Sequence, residues 1–442
     1  MAKTSPRLQK MATSRICITT LLDLFLYFSN GTPIRNLSCW PEFPIIMNYL
    51  HRFDEDDVMT LLKHPDRVRW ICIGHLTSLQ FGRVIALMQE PFPLLTHLEF
   101  YAPHGVDVSD VPALPRGFLG GSAPCLQLVL FDGVPLSEFP ASFLMSRDLA
   151  SLHLNMIPMT GYISPEAILA SLVVLTRLES LRMGFPFRNP YPEQRTGDRD
   201  PPIRVVLPAL NELALLCWRE YMEDFVARLD TPRLDDLYTR LDERETLWLP
   251  QPLFIARTET LRFGRARIDF YDNSLQIEVD REFDIPHEPR RPHLGISTSF
   301  DWACTHVSHL THLVGRILAM FANLRHFYIR SGDDHPIWED DIDNVEWLIL
   351  FHQFATVRTL HLQGRLARQV ARALEDVPEE VVTEVLPSLE VLLLEDEDGP
   401  VGSIEQFLSL RQLFGRPIAV VDLEVIKLEL LAASQRSQGQ GS

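Results

Sequence analysis

Apolar residues recur along the chain in one short phrase, written most fully at Leu386-Pro-Ser-Leu-Glu-Val-Leu-Leu-Leu394. It reads Pro387, Leu389, Leu392, Leu394. Its last two apolar positions are two apart, the period of a strand with one buried face. The proline cannot extend a preceding helix, so it marks a helix-to-strand join. Pro93/Leu95/Leu98/Phe100, Pro124/Leu126/Val129/Phe131, Pro208/Leu210/Leu213/Leu215 and Pro232/Leu234/Leu237 repeat it. Copies without the proline stand at Leu149/Leu152/Leu154, Leu178/Leu181/Met183, Leu324/Phe327/Ile329 and Val357/Leu360/Leu362. Weaker copies are Val68/Ile71/Ile73 and Thr258/Leu261/Phe263.

Helical stretches fill the gaps. Asp54 can cap a helix through Leu62, with Glu55, Asp56 and Asp57 at its positive end and His64-Pro65 as its stop. Further helices are predicted from about Leu79 to Gln89, from Ser164-Pro165 onward, over Glu220–Leu229 with Tyr221, Phe225 and Leu229 on one face, over Asn344–Gln353, over Leu366–Glu375, and over Ser403–Phe414 with Gly415 ending it.

The first apolar residue of each phrase falls at 68, 95, 126, 149, 178, 210, 234, 258, 324, 357 and 389, most steps lying between 23 and 33. Leucine-rich repeats have periods of about 20–29 residues, longer where full helices lie on the outer side. The fold class expected is α/β, a leucine-rich-repeat solenoid or horseshoe with a parallel sheet on the concave side and helices on the convex side. The step of 66 from 258 to 324 is two ordinary steps, so one divergent repeat is expected there, with Leu294-Gly-Ile296 or Ile277 and Val279 as its strand. Residues 265–291 are the least readable part of the core.

Residues between the apolar positions of each phrase point away from the shared interior. They are His97, Glu99 and Tyr101; His153 and Asn155; Ser180 and Arg182; Asp236, Tyr238 and Arg240; His326, Tyr328 and Arg330; Thr359, His361 and Gln363. Tyr, His, Arg and acids in this mixture resemble interface chemistry, and a solvated sheet face is the alternative for any one of them. The partner-binding set is His97, Glu99, Tyr101, His153, Asn155, Arg182, Tyr238, Arg240, Tyr328, Arg330, His361 and Gln363.

Composition narrows the partner. A net charge of −18 and a pI near 5.3 argue against a nucleic-acid backbone or an anionic membrane surface, both of which need a basic face. The six cysteines, Cys17, Cys39, Cys72, Cys125, Cys217 and Cys304, form no C-x-x-C pair and read as buried thiols of a reducing compartment, cytoplasmic or nuclear. Ile16–Phe28 follows Lys3, Arg7, Lys10 and Arg15, but Asp23 interrupts it and no small-residue cleavage site follows, so a buried helix or strand is expected rather than a signal peptide. It is shorter than the ~20 residues that span a bilayer. Asn30-Gly-Thr32 and Asn36-Leu-Ser38 match the glycosylation pattern, which has meaning only for a secreted chain. Residues 187–202 and 282–292 read as exposed loops, and the tail 426–442 as disordered. The chain thus divides into an N-terminal segment 1–50, a repeat region 51–425 and the tail.

No P-loop, G-x-G-x-x-G, G-x-S-x-G or H-E-x-x-H motif occurs. Gly117–Gly121 reads as a loop before a strand. His306, His309 and His312, with Cys304 upstream, could offer two ligands to one metal, but two more at fixed geometry are not visible. The acidic runs Asp54–Asp57, Asp333-Asp334, Glu339–Asp343 and Glu395–Asp398 lack EF-hand spacing and read mostly as helix starts and solvated loops. No cofactor, no metal and no enzyme activity is expected.

Gly31-Thr-Pro-Ile-Arg35, Trp40-Pro-Glu-Phe-Pro44, Lys63-His-Pro-Asp-Arg-Val68, Met88-Gln-Glu-Pro-Phe-Pro93, Gly117-Phe-Leu-Gly-Gly-Ser-Ala-Pro124, Thr160-Gly-Tyr-Ile-Ser-Pro-Glu166, Tyr221-Met-Glu-Asp-Phe-Val-Ala-Arg-Leu-Asp230, Leu374-Glu-Asp-Val377 and Val385-Leu-Pro387 are specific as a set. With them the chain resembles, from about Ser5 to Val421, the basidiomycete fungal F-box proteins with degenerate leucine-rich repeats. The resemblance implies a substrate receptor of a Skp–cullin–F-box ubiquitin ligase, whose F-box binds the Skp adaptor and whose repeats hold the protein substrate. No Leu-Pro-x-Glu start with a following Trp occurs, so this sequence is expected to begin just after that module. Adaptor binding then requires an F-box upstream. A free-standing or diverged repeat binder without a ligase link is the alternative.

Overall fold

In the computed structural model the described residues are 26–29, 43–49, 55–74, 76–102, 111–185, 204–242, 264–271, 274–280, 293–299, 323–331, 344–364, 366–395 and 404–422. The fold is mixed α/β, and the chain divides into two compact units, Met1–Leu234 and Asp235–Ser442.

In the first unit the order is β1 (Leu26–Ser29), β2 (Ile45–Tyr49), α1 (Glu55–Leu61), β3 (Val68–Ile73), α2 (Ser78–Leu87), β4 (His97–Tyr101), β5 (Leu128–Asp132), α3 (Ala141–Leu144), β6 (Ser151–Asn155), α4 (Pro165–Leu172), β7 (Ser180–Gly184), β8 (Val205–Val206), β9 (Glu212–Leu216), α5 (Arg219–Ala227) and β10 (Leu229–Asp230). Strands β1 to β7 and then β9 pair neighbour to neighbour, all parallel, into a sheet of eight. Each phrase supplies one strand, and its apolar positions align from strand to strand: Leu98, Val129, Leu152, Leu181 and Leu213 share one row, and Phe100, Phe131, Leu154, Met183 and Leu215 the next. All ten side chains are fully buried.

The residue after the first leucine of each phrase makes the step between strands. The Thr96 carbonyl accepts from Gln127 and Leu128 N–H at 2.8 and 3.1 Å. Gln127 accepts in the same way from Ala150 and Ser151, Ala150 from Glu179 and Ser180, and Glu179 from Asn211 and Glu212. One carbonyl thus satisfies two amides where the chain turns into the strand.

Aromatic side chains fill the space under the sheet. Phe100 stacks on Phe131 at 5.8 Å, and Phe143 lies 5.8 Å from Phe131. A second cluster joins Phe185, Trp218, Tyr221 and Phe225. Helix starts follow local chemistry. Thr77 and Gln80 form a reciprocal capping box at α2, and Ser164 caps α4 with Pro165 at the first turn. The Gly117–Gly121 stretch contains a 3-10 turn over Phe118–Gly121. There Gly120 is left-handed (φ 58°), and a Cβ on it would lie 2.5 Å from Pro91 N. Leu229 is not in a helix: α5 ends at Ala227, and β10 pairs in parallel with β8.

The second unit contains β11 (Asp236–Asp242), β12 (Arg265–Tyr271), β13 (Ser274–Asp280), β14 (His293–Ser299), β15 (His326–Ser331), α6 (Asn344–His352), β16 (Thr359–Gln363), α7 (Leu366–Glu375), β17 (Val391–Glu395), α8 (Glu405–Leu413) and β18 (Ala419–Asp422). β15 to β18 continue the parallel pattern, with Arg325, Arg358 and Glu390 as the stepping carbonyls. Here one expectation fails. The stretch between the phrases at 258 and 324 is not a single divergent strand–helix repeat. β11 pairs in parallel with β14, β14 antiparallel with β13, β13 antiparallel with β12, and β12 in parallel with β15. The reason is local. Tyr271 pairs with Ser274, so only Asp272 and Asn273 link β12 to β13, and two such residues favour a hairpin. Both candidate strands therefore exist, at Ile277/Val279 in β13 and at Leu294/Ile296 in β14.

The phrase at 258, the loops 187–202 and 282–292, the acidic runs at 333–334 and 339–343, the tail 426–442, and Cys304, His306, His309 and His312 lie outside the described residues. So does most of the run 16–28, of which β1 takes the last three positions.

Candidate protein-interaction surface

All twelve residues of the expected binding set sit on strands at half-buried positions, each next to a buried residue. Within each unit the strand register brings them side by side. In the first unit one outward row runs Trp70, His97, Leu128, Ser151, Ser180, Glu212, and the next runs Cys72, Glu99, Leu130, His153, Arg182, Ala214. Tyr101, Asp132 and Asn155 continue onto a third.

Two polar groups occupy this face. In the first, Glu212 is 9% exposed and takes two donors. Arg182 Nε donates to its Oε1 at 2.8 Å, with Nη2 on the same oxygen. Ser180 Oγ donates to its Oε2 at 3.0 Å. The serine's single proton is thereby used, so its oxygen accepts from His153 Nε2, 2.9 Å away. That contact calls for a proton on the histidine's Nε2. In the second group, Tyr101 O–H donates to Glu99 Oε2 at 3.1 Å, and the Cys72 thiol donates weakly to the same oxygen at 3.7 Å. Trp70 and His97 stack with centroids 4.6 Å apart. Burial holds the Glu99 carboxyl above its ordinary proton affinity, against the hydrogen bonds from Tyr101, Cys72 and Trp70. Burial pushes the Tyr101 hydroxyl and the Cys72 thiol up and the His97 imidazole down. The thiol is therefore protonated and inert as a nucleophile.

The second unit's face carries an aromatic and guanidinium row. Arg267, Tyr328, His361 and Leu393 stand side by side on β12, β15, β16 and β17. The Arg265 guanidinium lies 5.5 Å from the Tyr328 ring centre, and Tyr328 meets His361 edge-on at 5.3 Å. His361 Nε2 is 3.4 Å from Glu395 Oε2. Burial lowers the histidine's proton affinity, with Glu395 opposing it. Arg267 Nε pairs with Asp269 Oδ2 at 2.7 Å, and burial holds the aspartate's pKa above its ordinary value. Arg330 and Gln363 sit in the Asp269 row, and Tyr238 and Arg240 on β11, beside β14.

Among the outward-row residues not anticipated are Trp70, Cys72, Glu212, Arg265, Arg267, Asp269, Glu278 and Glu395. Strand alternation could have found Trp70, Cys72 and Glu212, which occupy the same phrase positions as His97 and Glu99. Glu395 had been read with its acidic run as a solvated segment; instead it ends β17 with its side chain 14% exposed against His361. Cys72 and Cys217 are buried thiols, but Cys125 is exposed, contrary to the expectation for all six. It lies in the turn ahead of β5, outside the inward alternation.

Among the described residues no cluster of three His, Cys, Asp or Glu could hold a metal, and no helix is long and apolar enough to cross a membrane. Neither the family models nor the curated proteins compared with this chain gave a match.

Proposed function

We propose that the chain is a non-enzymatic protein-interaction scaffold. Its strand–helix units act as leucine-rich repeats stacked as a solenoid within each unit, and a protein partner is held on the strand side. One observation carries this reading. Polar and aromatic side chains lie in register on a sheet face, half-buried, while every alternate neighbour is buried in an apolar interior. Rigid strands hold such a row with little ordering cost on binding. The resemblance to the fungal F-box repeat proteins gives the role its context. The partner is a substrate delivered to a Skp–cullin–F-box ubiquitin ligase, in the cytoplasm or nucleus.

The test is co-purification of the full-length gene product, tagged in its own cells, beside a variant with His153, Arg182, Tyr328 and Gln363 replaced by serine. The reading expects a partner held by the native protein and lost by the variant, with the Skp adaptor recovered in both. A partner recovered without the adaptor would make the chain a free-standing repeat binder. Equal recovery by both forms would remove the sheet face as the binding surface.

A further inference from the structure

Among the outward carboxylates described above, Glu212 has Arg182, Asp269 has Arg267 and Glu395 has His361 beside it. Glu99 differs. Its neighbours are the Tyr101 hydroxyl and the Cys72 thiol, and among the described residues no cation pairs with it. The Trp70 indole N–H is buried beside it and, with the Tyr101 hydroxyl and the Cys72 thiol, acts on the carboxyl as a neutral donor. The Trp70–His97 stack stands at one end of the carboxyl and Tyr101 at the other, while Leu130 flanks it on β5. The Tyr101 and Cys72 bonds both fall on Oε2, and all the donors that reach the carboxyl are neutral.

We propose that this pocket of the first unit receives a cationic side chain, arginine or lysine, presented by the protein partner. The inference rests on the scaffold reading and adds the partner's chemistry. A carboxylate set among aromatic faces suits a cation twice, by a charge-assisted hydrogen bond and by attraction to the ring faces. The alkyl stem packs on Leu130, as long basic side chains do on apolar surface. The chain's net charge of −18 attracts a basic partner at long range, and the pocket supplies the short-range fit.

The experiment is fluorescence anisotropy of the full chain with fluorescein-labelled octapeptides alternating serine with arginine, lysine or citrulline. Arginine and lysine peptides are expected to bind, with citrulline weaker by about tenfold or more. Glu99→Gln should weaken the arginine peptide about tenfold, and Trp70→Leu about fivefold. Glu179→Gln, at an exposed carboxyl of the same unit, should change it less than about twofold. Circular dichroism checks the fold of each variant, and Tyr101→Phe serves as a second reading of the pocket should Glu99→Gln not fold. Binding by Glu99→Gln within twofold of the native protein overturns the proposal. Equal losses for Glu179→Gln and Glu99→Gln, or no binding of any peptide by the native protein, overturn it as well. None of these outcomes touches the scaffold reading, which stands or falls on the co-purification.

Discussion

Replacing Phe131 by alanine tests whether the alternation along β5 divides a packed interior from a surface. Phe131 is fully buried, stacked on Phe100 at 5.8 Å and tilted against Phe143 at 5.8 Å. Removing the ring forfeits its transfer energy, two aromatic contacts and the close packing around them. Phe→Ala changes at such sites cost about 3–5 kcal/mol. For a unit of this size that is a fall in melting temperature of roughly 2–4 °C per kcal/mol, or about 6–20 °C in all. The neighbour Leu130 is half-buried on the opposite face. Leu130→Ala should cost about 1 kcal/mol or less, because little apolar area leaves water there. The assay is urea unfolding of both variants followed by far-ultraviolet circular dichroism. Similar costs for the two substitutions, or less than about 1 kcal/mol for Phe131→Ala, would refute the inward assignment of the phrase.

Three further outcomes are expected. The folded Glu99 carboxyl holds its proton more tightly than the ordinary value of 4.5, so its contribution to stability is fullest at low pH and is lost as pH rises from there through the folded pKa; urea midpoints between pH 4 and 8 should decline less in Glu99→Gln than in the native protein, and identical profiles would exclude the buried carboxyl. A Cβ on Gly161 would lie 2.5 Å from Leu136 N and 2.8 Å from Pro135 Cα, so Gly161→Ala should cost about 1–3 kcal/mol in a thermal melt, whereas Thr77→Ala, which only opens the capping box of α2, should cost about 1 kcal/mol. Glu212→Gln removes the charge that Arg182 faces and should release the guanidinium to solvent; because Arg182 is 41% exposed, the loss should stay below about 2 kcal/mol, and a double-mutant cycle with Arg182→Gln measures the coupling.

Where the phrase is clear, the fold was legible. Leu152/Leu154 and Leu360/Leu362 become the inward pairs of β6 and β16, and the helix predicted at Ser164-Pro165 starts there. The meander β12–β13–β14 was not legible from repeat spacing, because antiparallel strands need no helix-to-strand join and so carry no copy of the phrase. Its signals were of another kind: apolar alternation through Ala266, Ile268 and Phe270, then Asp272-Asn273 at hairpin spacing. The site was half legible. Alternation says which residues face outward, but their pairing joins distant positions, 27 apart for Cys72 and Glu99 and 32 apart for Ser180 and Glu212. Only the strand register reveals that Glu212 holds Arg182 while Glu99 has no such partner among the described residues.

Photo-crosslinking by position tests the interaction surface most directly. Benzoylphenylalanine would be placed at Arg182 and Tyr328 on the two sheet faces, and at Leu79 in α2 and Ile349 in α6, which are 67% and 50% exposed. The full-length protein would then be irradiated in its own cells. A partner joined from Arg182 or Tyr328 and absent from Leu79 and Ile349 is the predicted result. The same partner captured mainly from the helix positions would contradict the account.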